Sequence, residues 1–318
     1  MGGQKVLSGK LEVLRRNGLK DGAGEWDKAR LEGVAAPHAG AWLDAPPSRA
    51  QDMRMTNPEI SSRVGRRLGA QICEERACPF CFATLHKWRA HAECCMSGGD
   101  KTAAHHCVRN RVYTHSKNAG AIPVLEAAGV LDVLAIQDSH GIGREAANHA
   151  GHNRERPADV LLCRAQDIRV GSGGGAAVGR VALDIGIVCP QAAVHLSAAQ
   201  SQLGAAESYT LTKCSRAHME DRCRAAGVVF QPLIFESLGG VSIETECVIK
   251  CLNRMVAENQ DSSPGDVATR FWQRLSVDIQ RAGHRAFVRR ALKGNDLEGD
   301  GLQGLLCSGA FLVEPGGL

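Results

Sequence analysis

Aromatic residues are scarce in this chain, at 4% of 318 residues, so a core must be built from Val, Leu, Ile and Ala with little ring surface. That composition favours helices packed on a modest sheet. No apolar run approaches the roughly eighteen residues of a membrane-spanning helix, and no secretory leader is legible at the start. Both absences lead us to expect an intracellular protein, nuclear or cytoplasmic, with no membrane partner. Charge of one sign is also lacking: 38 Lys and Arg stand against 34 Asp and Glu, a formal +4. Such mild basicity is compatible with a polyanionic partner without requiring one.

Cysteine, by contrast, is plentiful. Thirteen of them would suggest a disulfide framework in a short secreted domain, but in a reducing compartment an odd, clustered set reads as a metal site plus buried free thiols. Cys78-Pro-Phe-Cys81, nine residues, His91, three residues and Cys95 make a C-x2-C-x9-H-x3-C pattern. A C-x2-C turn sets two thiolates on one edge of a metal, and a nearby His and Cys close a tetrahedron of the structural zinc type. Cys94 is an alternative fourth ligand. Cys163, Cys189, Cys214, Cys223, Cys247 and Cys251 sit at apolar-periodic positions and read as inert core thiols.

Local pattern gives the following expected elements. Residues 1–45 show no apolar register and read as a disordered tail. Asn57 to Leu68 reads as a helix with Asn57 as cap, Pro58 at its first position and Ile60, Val64 and Leu68 on one face. His105 to Asn118 is helix-compatible, and Pro123 to Gly129 reads as a second short helix. Val130–Ile136, Ala158–Cys163, Val181–Val188 and Val228–Phe235 have strand length and β-branched content. Ala198 to Ala226 reads as helical. Two C-terminal helices follow, one stepping through Ile243, Cys247, Cys251 and Met255, the other through Phe271, Leu275, Ile279, Ala282 and Ala286. The fold class is α/β (α+β): a linker helix and knuckle at 46–107, a mixed four-strand sheet flanked by helices at 108–293, and a flexible glycine-rich end at 294–318.

Two acids fall on adjacent strands, Asp159 at the start of one and Asp184 within the next. Such a pair can converge on one divalent cation, as metal-assisted phosphodiester hydrolysis needs. Gly171-Ser-Gly-Gly-Gly-Ala176 superficially matches a dinucleotide fingerprint, but too few residues remain before Val181 for the helix that reading demands. It reads as a hairpin loop between the acid-bearing strands. Glu236 ends a strand and reads as turn-forming, with a distal part in the site as the other possibility. Arg270, Arg274, Arg281, Arg285 and Arg289 form a stripe that suits phosphates or plain solvent equally.

Met55-Thr56, Arg67-Leu68-Gly69, the C-x2-C, the His and Cys, Gly98-Gly99-Asp100-Lys101 and a following histidine together resemble the linker and zinc knuckle behind the polymerase of many non-LTR retrotransposon reverse transcriptases. The last histidine of that family usually sits in an Arg-His-Asn triplet, which here reads Ala104-His105-His106. A restriction-like PD-(D/E)XK nuclease domain follows the knuckle in the family, and the resemblance runs from about Leu43 to Arg290. It implies a magnesium-dependent DNA endonuclease that nicks a target site, with DNA and possibly RNA as partners, zinc as structural metal and Asp159 and Asp184 as magnesium ligands. The proline and aspartate of the motif are one residue apart here, Pro157-Ala-Asp159, and Gly186 stands where the motif has lysine. The resemblance implies a lysine moved to the following helix, at Lys213, with Glu207 a nearby extra acid. No polymerase motif is present. The rival expectation is a catalytically decayed zinc-knuckle module that only binds nucleic acid.

Overall fold

Two long strands organise the molecule, both rich in β-branched and aliphatic residues. In the computed structural model, which describes residues 2–88, 90–127, 158–165, 168–170, 175–176, 179–201 and 204–292, β7 (Arg180–Val188) and β8 (Val228–Glu236) pair in parallel from Arg180↔Val228 to Val188↔Glu236. Against the free edge of β7 lies β4 (Val160–Leu162), antiparallel with Val160 opposite Leu183, and β3 (Pro123–Leu125) pairs with β4. The sheet order is therefore β3-β4-β7-β8. A parallel pair needs a crossover, and here it consists of α6 (Leu196–Ala199), α7 (Ala205–Ser215), a short 3-10 turn and α8 (Met219–Ala225). A second ribbon pairs β5 (Arg169–Val170) with β6 (Gly175–Ala176), so Gly175 and Ala176, expected in a loop between the acid-bearing strands, lie in a strand, and residues 171–174 lie outside the described residues. The mixed helical and stranded class agrees with the sequence reading.

The alternation of β7 divides two cores. Val181, Leu183 and Ile185, with Val160, Leu162, Leu233 and Phe235, pack on Val108 and Val112 of α5 (Asp100–Asn118), on Val248, Ile249, Leu252 and Val256 of α9 (Ile243–Asn259), and on Phe271, Leu275 and Ile279 of α10 (Pro264–Leu292). The opposite face carries Leu161, Ala182, Phe230 and Cys223 in one cluster and Val188, Ile234, Ala205 and Ala206 in another. Its alanines let the crossover helices lie close.

Several local expectations change in the folded chain. Pro123–Leu125 forms an edge strand, where a proline without an N–H is tolerated, instead of opening a helix. Val130–Ile136 and residues 294–318 lie outside the described residues. Of the four-residue step on α9, Ile243 and Cys247 are exposed while Cys251 is buried and Met255 packs on the core, and the helix also buries Thr245, Val248, Ile249, Leu252 and Val256. Of the six cysteines read as core thiols, only Cys189, Cys223 and Cys251 are buried, while Cys163 and Cys247 are exposed and Cys214 is half-buried. Residues expected to be a tail contain α1 (Gly2–Asp21) and α2 (Glu25–Ala35). The second helix buries Ala29, Arg30 and Gly33, and Arg67 binds the carbonyls of Val34 and Ala39 at 2.9 and 3.0 Å. Small residues and arginine stems make no periodic apolar stripe, so pattern could not reveal it.

The largest inversion is α3 (Asn57–Leu68). Thr56, not Asn57, caps it, in a reciprocal box with Glu59. Ile60 and Leu68 are exposed, whereas Arg63 and Arg66 are buried. The reason is Glu93 on α4 (Ala90–Cys94), whose carboxylate takes Arg63 at 2.7 Å, Arg66 at 3.1 Å and the Ser237 hydroxyl at 2.7 Å. Arg63 also donates to Gln280 of α10 at 2.8 Å. Burial alone would raise the Glu93 pKa, but the Arg66 and Arg63 charges more than offset it and hold the carboxyl at about 2. Glu93→Ala leaves two guanidinium groups buried without a counter-charge. We expect it to lower stability by about 3–5 kcal/mol, read as an early urea midpoint.

Candidate functional site

The acid pair grows out of the sheet register. Val160 faces Leu183 across the antiparallel ladder, and one step beyond that pair lie Asp159 and Asp184, as opposed cross-strand neighbours. The Asp159 N–H donates to the Leu183 carbonyl at 3.0 Å, and Ile185 N–H donates to Asp159 Oδ2 at 2.7 Å. Strand pairing thus carries one acid to the other.

Helix α7 runs over the same face in the reverse sense. At Gly186 an added Cβ would lie 2.8 Å from Ile234 Cδ1 and 3.0 Å from the Tyr209 ring, so a side chain here would have to displace one of them. One turn further along α7 from Tyr209, Lys213 Nζ reaches Asp184 Oδ1 and Oδ2 at 2.7 and 2.8 Å. The same helix thus packs Tyr209 against Gly186 and brings the Lys213 ammonium to Asp184.

A fourth group arrives from the other side. His105, near the start of α5, sets Nε2 3.0 Å from Asp159 Oδ2. Burial would raise the Asp159 pKa, but the hydrogen bond and charge of His105, the Ile185 N–H and Lys213 bring it below the ordinary aspartate value. Asp184 moves the other way: burial raises its pKa and the negative Asp159 adds to this, and Lys213 offsets them only in part. For Asp184 the cost of desolvation outweighs the attraction of Lys213. The side chains keep 16–28% of their surface, so solvent reaches them.

Glu207 and Glu236 do not join this group. Glu207 accepts from the Ile243 N–H at 3.2 Å, at the start of α9. Glu236 ends β8 opposite Val188, is 7% exposed and accepts from the Ala206 N–H at 3.3 Å. Burial, with a smaller push from Glu207, raises its pKa to about 7. An unfolded glutamate titrates near about 4.3, so the folded chain binds the extra proton between these values and loses stability as pH rises through them. Glu236→Gln is therefore expected to stabilise the fold by roughly 2–3 kcal/mol at pH 8 and to be close to neutral at pH 4, measured by urea unfolding at both.

The cysteine cluster is built on a hairpin of β1 (Arg76–Ala77) and β2 (Thr84–Leu85) and on α4. Cys78 and Cys95 sulfurs are 4.0 Å apart, Cys81 and Cys95 3.6 Å, and Cys81 Sγ is 3.2 Å from His91 Nε2. All four ligand atoms lie within 4.8 Å of one another, so Cys78, Cys81, His91 and Cys95 could hold a metal ion. Edges of about 3.5–3.8 Å are those of a tetrahedron with typical metal–nitrogen and metal–sulfur bonds. Cys94 turns away, its thiol directed at the Ala90 and His91 carbonyls at 3.6 Å. That decides between the two candidate fourth ligands.

The cluster is clamped to the rest of the chain. Asp100 takes Arg289 at 2.7 Å and Arg290 at 2.8 Å, and Gly98 (φ +87°) sits so close to Phe80 that a Cβ would meet its ring at 3.2 Å. Arg281 likewise binds Asp52 at 2.9 Å. Two members of the arginine stripe therefore serve internal contacts, while Arg270 and Arg285 remain exposed. No helix among the described residues is long and apolar enough to cross a membrane.

Position along the chain could not have paired His105 with Asp159, 54 residues away. The one local signal for it is the histidine expected after the Gly-Gly-Asp-Lys turn. No protein-family model, curated protein or solved structure matches the chain, so the reading of the site rests on its geometry.

Proposed function

We propose that this chain is a metal-dependent DNA endonuclease of the restriction-like PD-(D/E)XK kind, derived from the C-terminal part of a non-LTR retrotransposon reverse transcriptase, and that it nicks one strand of a target site. The observation that carries this reading is the meeting of Asp159, Asp184 and Lys213 at one partly exposed rim, from two adjacent strands and a helix. Two carboxylates suit magnesium, which keeps several waters and takes few protein ligands. Asp159 and Asp184 would hold it, and it would supply Lewis-acid stabilisation of a scissile phosphate. Lys213 carries an ammonium group to the same rim, where it can neutralise charge developing on a phosphoryl oxygen. Asp159, with its lowered pKa, is the acid held ready in its charged form.

The Cys78, Cys81, His91 and Cys95 cluster is assigned to structural zinc. Four soft or borderline donors leave no open position for chemistry, and the clamp through Asp100 gives the knuckle a fixed seat beside α5. Exposed Arg270 and Arg285 are available to phosphates.

One observation favours the rival reading, a decayed module that binds DNA or RNA without cutting it: Lys213 engages both oxygens of Asp184, so that acid is internally neutralised. Incubation of the zinc-loaded protein with supercoiled plasmid separates the two. Relaxed circles that need magnesium or manganese are expected. Binding of the plasmid with no nicking in either metal would favour the module.

A further inference from the structure

We infer that His105 is a positioning residue for the acid pair, holding Asp159 so that one of its oxygens is presented to a divalent cation. The inference rests on the nuclease reading and goes beyond it, because it assigns a role to a helix lying outside the acid-bearing strands.

Its support is the distribution of donors. Among the described residues, both hydrogen bonds to the Asp159 carboxylate fall on Oδ2, from Ile185 N–H at 2.7 Å and from His105 Nε2 at 3.0 Å. Oδ1 is thereby left to a cation, and the carboxylate is pinned against rotation from two directions. Asp184 has no such arrangement, since Lys213 contacts both of its oxygens. The contact needs only a proton on Nε2.

The supporting helix is itself held. His105 lies five residues beyond Asp100, whose carboxylate is gripped by Arg289 and by the fully buried Arg290. Val108 and Val112, one and two turns further on, are 1% and 0% exposed in the main core. The imidazole is therefore presented from a rigid element. Partners of this kind behind a metal ligand typically change metal affinity by about 10–100-fold when removed.

The test is direct titration of manganese into the zinc-loaded protein, followed by the paramagnetic resonance signal of the free ion, for wild type, Asp159→Asn, His105→Leu and His105→Gln. Wild type should bind manganese at a site that Asp159→Asn loses. His105→Leu should weaken that binding by about 10-fold or more, and His105→Gln, whose amide N–H can reach the same oxygen, should recover most of it. In nicking assays the half-saturating magnesium concentration of His105→Leu should rise by a similar factor, with the rate at saturating metal close to wild type. Thermal melts identify any variant that fails to fold, and the Gln variant retains a polar donor in that event. Unchanged manganese affinity in His105→Leu, or a Gln variant no better than Leu, overturns the positioning role while the cation site stands. Wild type without an Asp159-dependent manganese site overturns both this role and the nuclease reading.

Discussion

Asp159→Ala is expected to abolish magnesium-dependent nicking, by about 10³-fold or more, while leaving affinity for the same DNA unchanged or slightly higher. The two effects separate because a carboxylate that holds a cation is needed for chemistry but repels the polyanion in its absence. Lys213→Ala should also slow turnover, by roughly 3–4 kcal/mol in activation free energy, if its ammonium stabilises charge on the phosphate. Its loss has a second consequence at Asp184, whose raised pKa is moderated by Lys213: without the lysine the acid should hold its proton to still higher pH. The nicking rate of Lys213→Ala should therefore recover in part as pH is raised. Charge reversal of the exposed Arg270 and Arg285 should act differently, weakening DNA binding and flattening its salt dependence with the turnover of bound DNA retained. If wild type and Asp159→Ala bind DNA alike and neither nicks it, the enzyme reading is wrong.

The second large effect concerns the knuckle. Protein purified without chelators should carry about one zinc per chain, and Cys78→Ser with Cys81→Ser should release it. The elements involved are two-residue strands and a five-residue helix, far below the length at which either is stable alone. Their order must come from contacts to the body and, under the zinc assignment, from metal ligation. Apparent binding free energies for structural zinc are on the order of 10 kcal/mol, so the module should lose its shape when the metal leaves. The loss should spread, because α4 carries Glu93, the counter-charge for buried Arg63 and Arg66. Removal of zinc is thus expected to expose α3 and the knuckle to proteolysis together and to alter the fluorescence of Trp88, whose ring lies 5.8 Å from that of Trp26. Metal analysis that finds no zinc would sink this assignment.

What was legible in the sequence is what depends on near neighbours along the chain. The runs that became β4, β7 and β8 could be read because β-branched and aliphatic content is local, and the long helix α10 because its apolar step repeats through Phe271, Leu275 and Ile279. Ligand spacing in C-x2-C-x9-H-x3-C is local too, and the four atoms come together as that spacing implies. Asp159 and Asp184 could be named from their strands, and Lys213 was suggested only by resemblance to a family.

Tertiary structure decided everything that depends on which surface meets which. Helix α3 has an apolar step, yet it turns its arginines inward because Glu93, 27 residues from Arg66, supplies a buried carboxylate. Edge strand β3 exists because β4 offers unpaired backbone groups, and α2 packs through alanine, glycine and arginine stems that carry no pattern. The choice of Cys95 over Cys94 followed from the direction in which α4 ends, and His105 reached Asp159 because α5 is seated by Asp100 and Val108. Local sequence sets propensity and ligand chemistry; long-range burial, charge pairing and strand register set the partners, because their energies depend on groups that approach one another only after the chain has folded.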